Sequence, residues 1–355
     1  GTLRPVKGVL PMLLSINDNQ RDVILPYSNV KEAANVSGIN IYPFHTLKEL
    51  VSCLRGESSL TAYTRPNNTD MDFKISFTED FSDVKGQESV KRALEIAAAG
   101  GHNVIMIGPP GSGKTMLAKR IPTILPDLTY SEALEITKIY SVAGLLKEKE
   151  GIIRHRPFIS PHHTISSSAL VGGGRIPVPG QISLAHHGVI FLDELPEFKK
   201  EVLEVLRQPL EDGEITISRS YGTATFPAKF MLVASANPCN CGYYGSSNDN
   251  HVCVCTPSQI KRYLGKISGP LLDRFDIHIE VPSLPFQKLS DNEKGESSAS
   301  IRARVNKARG RQVKRYSKEG IYYNAQLSSK LIRKYCVLDP SAKALMEQAF
   351  SSMNL

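Results

Sequence analysis

The sequence lacks the long apolar runs of membrane proteins. Its most apolar segments, such as residues 104–107, 189–192 and 230–236, are short, whereas a membrane-spanning helix takes about 20 consecutive apolar residues. A membrane span is therefore excluded. Residues 1–3 also lack an initiator Met and an apolar signal region, so we expect an internal fragment of a longer protein.

Cysteine is scarce, with six residues in a chain of 355. So few cysteines do not form a secreted disulfide framework. Four of them form two C-x-C pairs, Cys239 with Cys241 and Cys253 with Cys255, around an eleven-residue loop. Four thiolates at a chain reversal predict a tetrahedral, structural Zn²⁺ site in a reducing compartment, with free thiols or a disulfide as the alternative. We therefore expect a cytoplasmic protein.

Acidic residues are missing from residues 302–318, where eight are Lys or Arg. The formal net charge of the chain is +8. A basic excess favours acidic partners such as DNA, although a basic helical run is often only a solvated face. Charge thus permits a nucleic-acid partner without requiring one.

The order of predicted elements is α/β. Predicted strands at 103–107, 189–192, 230–235 and 275–281 alternate with helical or hairpin segments, which predicts a mainly parallel sheet flanked by helices. Composition divides the chain into five regions: residues 1–56, a polar linker at 57–76, a core at 77–285, a second linker at 286–300, and a helical pattern at 301–355.

A phosphate-binding loop follows the first core strand. Residues 108–115 read G-x-x-x-x-G-K-T, and a predicted helix starts at Lys114. The loop N–H groups and Lys114 suit phosphates, and the Thr115 hydroxyl suits Mg²⁺. A chance Gly-rich turn would not come with both flanking elements. The sequence predicts an ATP and Mg²⁺ site formed by Gly108, Pro109, Pro110, Gly111, Ser112, Gly113, Lys114, Thr115 and Met116.

Two later strands end in polar side chains suited to ATP hydrolysis. Asp193 and Glu194 follow the apolar run 189–192. We expect Asp193 to hold a water on Mg²⁺ and Glu194 to polarise the attacking water. Asn237 ends the next apolar strand, where an amide can position that water or contact the γ-phosphate.

Arg274 lies just before the last predicted strand of the core, in the run GPLLDRFD. An arginine there can reach the γ-phosphate bound by a neighbouring subunit. The alternative is an intrachain pair between Arg274 and an Asp.

Residues 77–282 resemble the magnesium-chelatase-like AAA+ family of the YifB/ComM type. The resemblance rests on the runs FSDVKGQESVKRALEIAAAGGHNVIMIGPPGSGKT, RPFISPHHTISSSALVGGG, PGQISLAHHGVIFLDELPEF, ISRSYGTATFPAKFMLVASANPCNCG and SGPLLDRFDIHIEV. It implies an AAA+ P-loop NTPase core, preceded by the second half of a Lon-protease-like α/β domain and followed by a truncated helical lid. Proteolysis is not supported, because residues 8–20 contain no lysine for a Ser–Lys dyad.

The resemblance also implies a function. It describes a ring-forming, hexameric ATPase that remodels single-stranded or branched DNA, as a branch-migrating helicase in recombination or natural transformation. It assigns residues 171–185 to a helix-2 insert and 214–227 to a hairpin that line the pore. Arg175, Arg219 and Tyr221 then become candidate DNA contacts, with a solvated hairpin surface as the alternative. Rival functions are a motor for Mg²⁺ insertion into a porphyrin and a nucleotide-switched scaffold.

Two adjacent pairs of histidines also suggest a metal site, namely His162 with His163 and His186 with His187. Neighbouring side chains on a strand or helix point in different directions. We therefore expect structural or surface histidines rather than a shared ion.

Overall fold

The computed structural model describes residues 1–16, 21–64, 77–147, 150–245, 252–284 and 295–353. The strands in this part of the chain are β1 Arg21–Pro26, β2 Ile39–Phe44, β3 Val104–Ile107, β4 Phe158–Ile159, β5 Gly172–Gly173, β6 Val178–Pro179, β7 Val189–Leu192, β8 Glu214–Arg219, β9 Gly222–Pro227, β10 Met231–Ala236 and β11 Ile277–Glu280. The helices are α1 Val9–Leu14, α2 Val30–Ala33, α3 Leu47–Leu54, α4 Glu88–Gly100, α5 Lys114–Ile124, α6 Tyr130–Ala143, α7 Ser167–Val171, α8 Gln181–Leu184, α9 Lys200–Glu204, α10 Arg207–Asp212, α11 Pro257–Leu264, α12 Gly269–Leu272, α13 Ser298–Arg315, α14 Ser329–Tyr335 and α15 Pro340–Met353.

A five-stranded parallel sheet forms the centre of the fold, in the order β11-β3-β10-β7-β4. Strands β7 and β10 are buried along their length, and apolar except for Ser235, because helices and loops cover both faces of the sheet. The predicted fold class, a parallel sheet flanked by helices, is confirmed. Since the strands are parallel, their carboxyl ends lie along one edge, where the loops after β3, β7 and β10 meet.

Separate apolar clusters cover the two faces of the sheet. On one face, Leu94 of α4, Leu117 of α5 and Val305 of α13 pack against β3 and β10. On the other, Leu203 of α9 and Ile215 of β8 pack against β7 and β10. The sheet is thus clamped between layers, so the loops at its carboxyl edge start from a rigid base.

Helix boundaries follow local capping signals. Helix α4 ends at Gly101, whose φ of 72° is a left-handed conformation that favours glycine. Helix α13 begins at Ser298, inside the linker predicted at 286–300, because the Asp80 carboxylate accepts a hydrogen bond from Ser298 N at 3.1 Å. Residues 65–76 and 285–294 of the two predicted linkers lie outside the described part.

Strands β1 and β2 with helices α1 to α3 form a small α/β unit, and an apolar cluster lies between its elements. Strands β1 and β2 pair in parallel, and Leu10, Leu25 and Ile41 pack between them and α1. The buried Glu32 carboxylate joins this unit to helix α6, because it accepts from Leu10 N at 2.8 Å and from the Ser141 hydroxyl on α6. Within the described residues, no helix combines the length and apolar character required to cross a bilayer.

Candidate functional site

The phosphate loop lies where the sequence predicts it, between β3 and α5. Gly111 and Gly113 have φ of 74° and 89°, values that only glycine adopts without strain. A Cβ on Gly108 would lie 2.2 Å from the Val281 carbonyl oxygen at the end of β11. The loop therefore needs glycine both for its curvature and for its close approach to the sheet.

Lys114 turns its ammonium group back over this loop. Its Nζ donates to the carbonyl oxygens of Gly108 at 2.7 Å and Pro109 at 2.9 Å, and to Asn237 Oδ1 at 3.2 Å. Burial lowers the pKa of Lys114, while the charge of Asp193 opposes that shift. The Asn237 side chain thus hydrogen-bonds directly to the lysine that is predicted to bind phosphate.

Oxygen atoms suited to Mg²⁺ converge beside the loop. Thr115 Oγ1 donates to Asp193 Oδ2 at 2.8 Å, and the Ser235 hydroxyl donates to the other Asp193 oxygen. Hydroxyl and carboxylate oxygens are the ligands that Mg²⁺ prefers, so these residues fit the predicted cation. Sequence motifs did not indicate Ser235, although it is the single polar residue within the buried run MLVASA.

Glu194 occupies a strained position at the end of β7. Its φ is 55°, in the left-handed region that non-glycine residues seldom adopt. Its side chain is 57% exposed, and Oε2 lies 3.9 Å from Nδ1 of His163. The carboxylate therefore reaches water, as a general base requires. No sequence signal linked His163 to it.

Gln87, which precedes α4, is a second residue that sequence motifs did not indicate. Its Nε2 donates to Ser112 O at 2.8 Å in the phosphate loop and lies 3.4 Å from Pro282 O after β11. Gln87 therefore connects the loop with the chain that leaves the sheet. Met116, the last residue of the predicted contact set, lies in the first turn of α5 and is half-exposed.

Arg274 lies at the opposite end of the sheet from the phosphate loop. Its carbonyl accepts from Asn103 Nδ2 at 2.8 Å, and Asn103 precedes β3 whereas Gly108 follows it. Four residues of extended strand span about 13 Å, so Arg274 is remote from its own phosphate loop. Its guanidinium pairs with Glu211, so the intrachain partner is a Glu of α10 rather than the Asp considered from the sequence.

Two hairpins bring the three candidate DNA contacts together. The hairpin predicted at 214–227 is confirmed as β8 and β9, with Arg219 and Tyr221 at its turn, while Arg175 lies in the β5–β6 connection. The Arg175 guanidinium carbon lies 4.3 Å from the Tyr221 ring centroid and also hydrogen-bonds its hydroxyl. A Cβ on Gly173 would lie 3.3 Å from Arg219 Nη2. We call Arg175, Arg219 and Tyr221 the hairpin patch.

The four clustered cysteines converge as a tetrahedral site requires. Sγ of Cys239 is 3.3 Å from that of Cys241 and 3.7 Å from that of Cys253, and all four Sγ atoms lie within 4.8 Å of one another. Zinc–sulfur bonds of about 2.3 Å at tetrahedral angles give sulfur–sulfur distances of about 3.8 Å. A hydrogen bond from the Tyr243 backbone lowers the pKa of the Cys241 thiol to about 6. The cluster therefore fits Zn²⁺.

The expectation that His186 and His187 point in different directions is wrong. Their ring centroids are 4.0 Å apart, and their Nε2 atoms lie 3.0 and 2.8 Å from the same oxygen, Oε2 of Glu135. The cause is the left-handed backbone of His187, with φ 56, which turns its ring to the side of His186.

Hydrogen bonding assigns a structural role to this histidine cluster. The Lys229 backbone N donates to Nδ1 of His186 at 3.0 Å, so Nε2 of His186 carries the proton and donates to Glu135. A metal ligand would need a free Nε2 electron pair. The two histidine bonds lower the pKa of Glu135 to about 2 and hold α6 against the start of β7.

Comparison with protein families matches most of the chain. The family model of magnesium chelatase, subunit ChlI, matches residues 80–289, and the model of the C-terminal part of that subunit matches residues 295–355.

Curated relatives extend this match over the full chain. Competence protein ComM of Haemophilus influenzae is 45% identical over 100% of this chain and 68% of its own length. Protein YifB of Escherichia coli is 44% identical over 100% of this chain and 68% of its own length. The magnesium-chelatase 38 kDa subunit of Rhodobacter capsulatus is 24% identical over 57% of this chain and 56% of its own length.

One solved structure that resembles the chain is the complex between the magnesium-chelatase subunits BchI and BchD. It covers 77% of this chain and 74% of that chain, with 21% identity and a TM-score of 0.41. The family models and the full-length identities decide the assignment. The chain belongs to the magnesium-chelatase-like AAA+ ATPase family, in the group that contains ComM and YifB.

Proposed function

We propose that this chain is an ATP-hydrolysing ring motor that remodels DNA, acting as a branch-migrating helicase in recombination or natural transformation. The hairpin patch is the observation that carries the DNA part. Guanidinium groups pair with phosphates and an exposed aromatic ring stacks on bases, and Tyr221 is 63% exposed. The name of the relative ComM, a competence protein, agrees with a role in DNA uptake.

The nucleotide site supplies the motor's chemistry in this proposal. Lys114 and the loop N–H groups bind the phosphates of ATP, and bound Mg²⁺ neutralises part of their charge. Thr115 and Asp193 hold that cation. Glu194 takes a proton from the attacking water, and Asn237 orients it.

The position of Arg274 supports ring assembly. An arginine remote from its own phosphate loop can contact the nucleotide of an adjacent copy. We propose a homo-hexamer in which each Arg274 leaves Glu211 and completes the site of its neighbour. Each nucleotide site is then incomplete in an isolated chain.

The identity with the magnesium-chelatase subunit of Rhodobacter capsulatus supports one rival, a motor for metal insertion that needs no DNA. Steady-state ATP hydrolysis of the full-length protein separates the two functions. We expect hydrolysis to rise several-fold when forked DNA is added and to disappear in Lys114→Ala. Hydrolysis that does not change with DNA would favour the rival.

The hairpin patch should be required for this DNA response. We expect the triple variant Arg175→Ala, Arg219→Ala, Tyr221→Ala to bind forked DNA at least about tenfold more weakly, because stacking alone contributes about 1–3 kcal/mol per base. The slope of the logarithm of DNA affinity against the logarithm of salt concentration should also become shallower, by about one unit per lost phosphate contact. Fluorescence anisotropy across a salt series measures both quantities.

The control for the hairpin patch is the double variant Lys48→Ala, Arg55→Ala, which removes the same formal charge from exposed residues at α3. It should bind DNA as the unmodified protein does. Equal losses in both variants would show that only net charge matters and would contradict the proposed contact surface.

We also propose that the four cysteines hold one structural Zn²⁺. Protein purified under reducing conditions should contain about one zinc per chain, since four thiolates complete a tetrahedral site. Cys253→Ser should lose most of that zinc, whereas Cys53→Ser should retain it, because Cys53 lies on α3, in the N-terminal unit. Mass spectrometry of the metal content tests this, and unmodified protein without zinc would contradict it.

A further inference from the structure

The cysteine cluster continues directly from the nucleotide site. Strand β10 leads into Asn237, whose side chain contacts Lys114, and Cys239 follows two residues later. We call residues 239–244 together with 252–255 the knuckle. Any movement of the knuckle therefore acts on Asn237 through a connection of one residue, Pro238.

The knuckle also touches the phosphate loop itself. A Cβ on Gly242 would lie 2.6 Å from Cδ and 2.7 Å from Cγ of Pro110, and 4.0 Å from Cγ of Asn237. The Gly242 backbone thus lies against the Pro110 ring with no space for a side chain. The loop N–H groups must point at the phosphates, so a wall at Pro110 restricts how the loop can move.

Very little apolar packing holds the knuckle in this place. Among its described residues, Cys239 is the single buried apolar side chain, and Val252 and Val254 are 75% and 83% exposed. Its two segments approach through their sulfur atoms, with Sγ of Cys253 at 3.7 and 3.6 Å from Sγ of Cys239 and Cys241, and through backbone hydrogen bonds of Val254 and Cys255 with Cys241. Without a core, a bound metal is the crosslink that keeps such a small element ordered.

Two hydrogen bonds connect the turn at Gly242 with Cys239. Gly242 N donates to Cys239 O at 3.0 Å, and Tyr244 N donates to Cys239 Sγ at 3.4 Å. One turn therefore positions both Sγ of Cys239 and the Gly242 backbone that contacts Pro110.

From these contacts we propose that the knuckle is a wall of the nucleotide site and that its bound metal sets the affinity for ATP. The inference rests on the proposed ATP site and names a device that regulates it. With Zn²⁺ bound, Gly242 holds Pro110 and Asn237 in place. Without Zn²⁺, the knuckle moves away from Pro110, and the phosphate loop loses its ordered form.

The test measures ATP binding rather than turnover, by titrating the full-length protein with ATP in a calorimeter in excess Mg²⁺. Removing zinc with a zinc-selective chelator should raise the Kd for ATP by about tenfold or more, since losing even one charge-assisted hydrogen bond to a phosphate has an effect of that size. Added Zn²⁺ should restore the Kd. An unchanged Kd in zinc-free protein would overturn the inference.

Two glycine variants distinguish loss of the contact between Gly242 and Pro110 from a general loss of structure in this segment. Gly242→Ala should raise the Kd similarly while keeping its zinc, because the new methyl group meets Pro110. Gly245 lies just outside the knuckle at φ 74°, close to the 90° of Gly242, but a Cβ there would meet no atom of the described residues within 4 Å, so the Kd of Gly245→Ala should stay unchanged. Equal effects in both variants would also overturn the inference. If no form of the protein binds ATP, the proposed ATP site itself fails instead.

Discussion

Replacing Glu194 by glutamine should lower the rate of ATP hydrolysis by about 10²- to 10⁴-fold, the usual contribution of a positioned general base. Glutamine keeps the size of the side chain but cannot take a proton. Because Lys114 hydrogen-bonds to Gly108, Pro109 and Asn237, which this substitution leaves unchanged, ATP binding should persist. Single-turnover hydrolysis and equilibrium binding of ATP, measured on the same preparation, test both expectations.

Glu197→Gln is the matched control for this substitution. Glu197 lies three residues further along, is half-exposed, and pairs with Lys266 at 3.4 Å. Removing its charge should change hydrolysis little, because exposed ion pairs contribute about 0–1 kcal/mol to stability. If Glu194→Gln hydrolysed ATP as fast as Glu197→Gln, the assignment of Glu194 as the base would be wrong.

Arg274→Ala should lower kcat in the assembled protein by about 10³- to 10⁵-fold, the effect of removing an arginine that stabilises phosphoryl transfer. Its own phosphate loop is at the other end of the sheet, so ATP binding to each chain should be retained. Steady-state hydrolysis at saturating ATP and DNA measures the loss.

Mixing variants shows whether Arg274 acts between chains. Arg274→Ala keeps an intact phosphate loop, and Glu194→Gln keeps an intact arginine. When the two inactive variants are mixed, some interfaces combine a complete loop with a complete Arg274, so part of the activity should return. No recovery, together with a similar loss in Glu211→Gln, would show that the arginine serves only its intrachain pair with Glu211.

Local features of the site were predictable because their physics is local. The apolar runs of β3, β7 and β10 predict buried strands, and the phosphate loop needs its glycines wherever it occurs. Parallel strands then bring the loop, Asp193 and Asn237 to one edge. The 3.2 Å contact between Lys114 and Asn237 and the 2.8 Å contact between Thr115 and Asp193 agree with that expectation.

Other parts of the site were not predictable from pattern. The His186 and His187 rings share Glu135 because one backbone torsion of His187 is left-handed, and no rule for adjacent residues anticipates that. His163 reaches Glu194 only because the short strand β4 pairs with β7, in a register that its two residues do not reveal.

By itself the sequence determined the α/β class, the phosphate loop, the acidic pair after β7 and the cysteine cluster, because each depends on residues close together in the chain. Only the tertiary structure decided that Arg274 lies at the far end of the sheet, that Arg175 meets Tyr221, and that Gly242 lies on Pro110. These contacts join segments that are distant in sequence. Their partners are chosen by strand order and packing, which no local pattern of residues encodes.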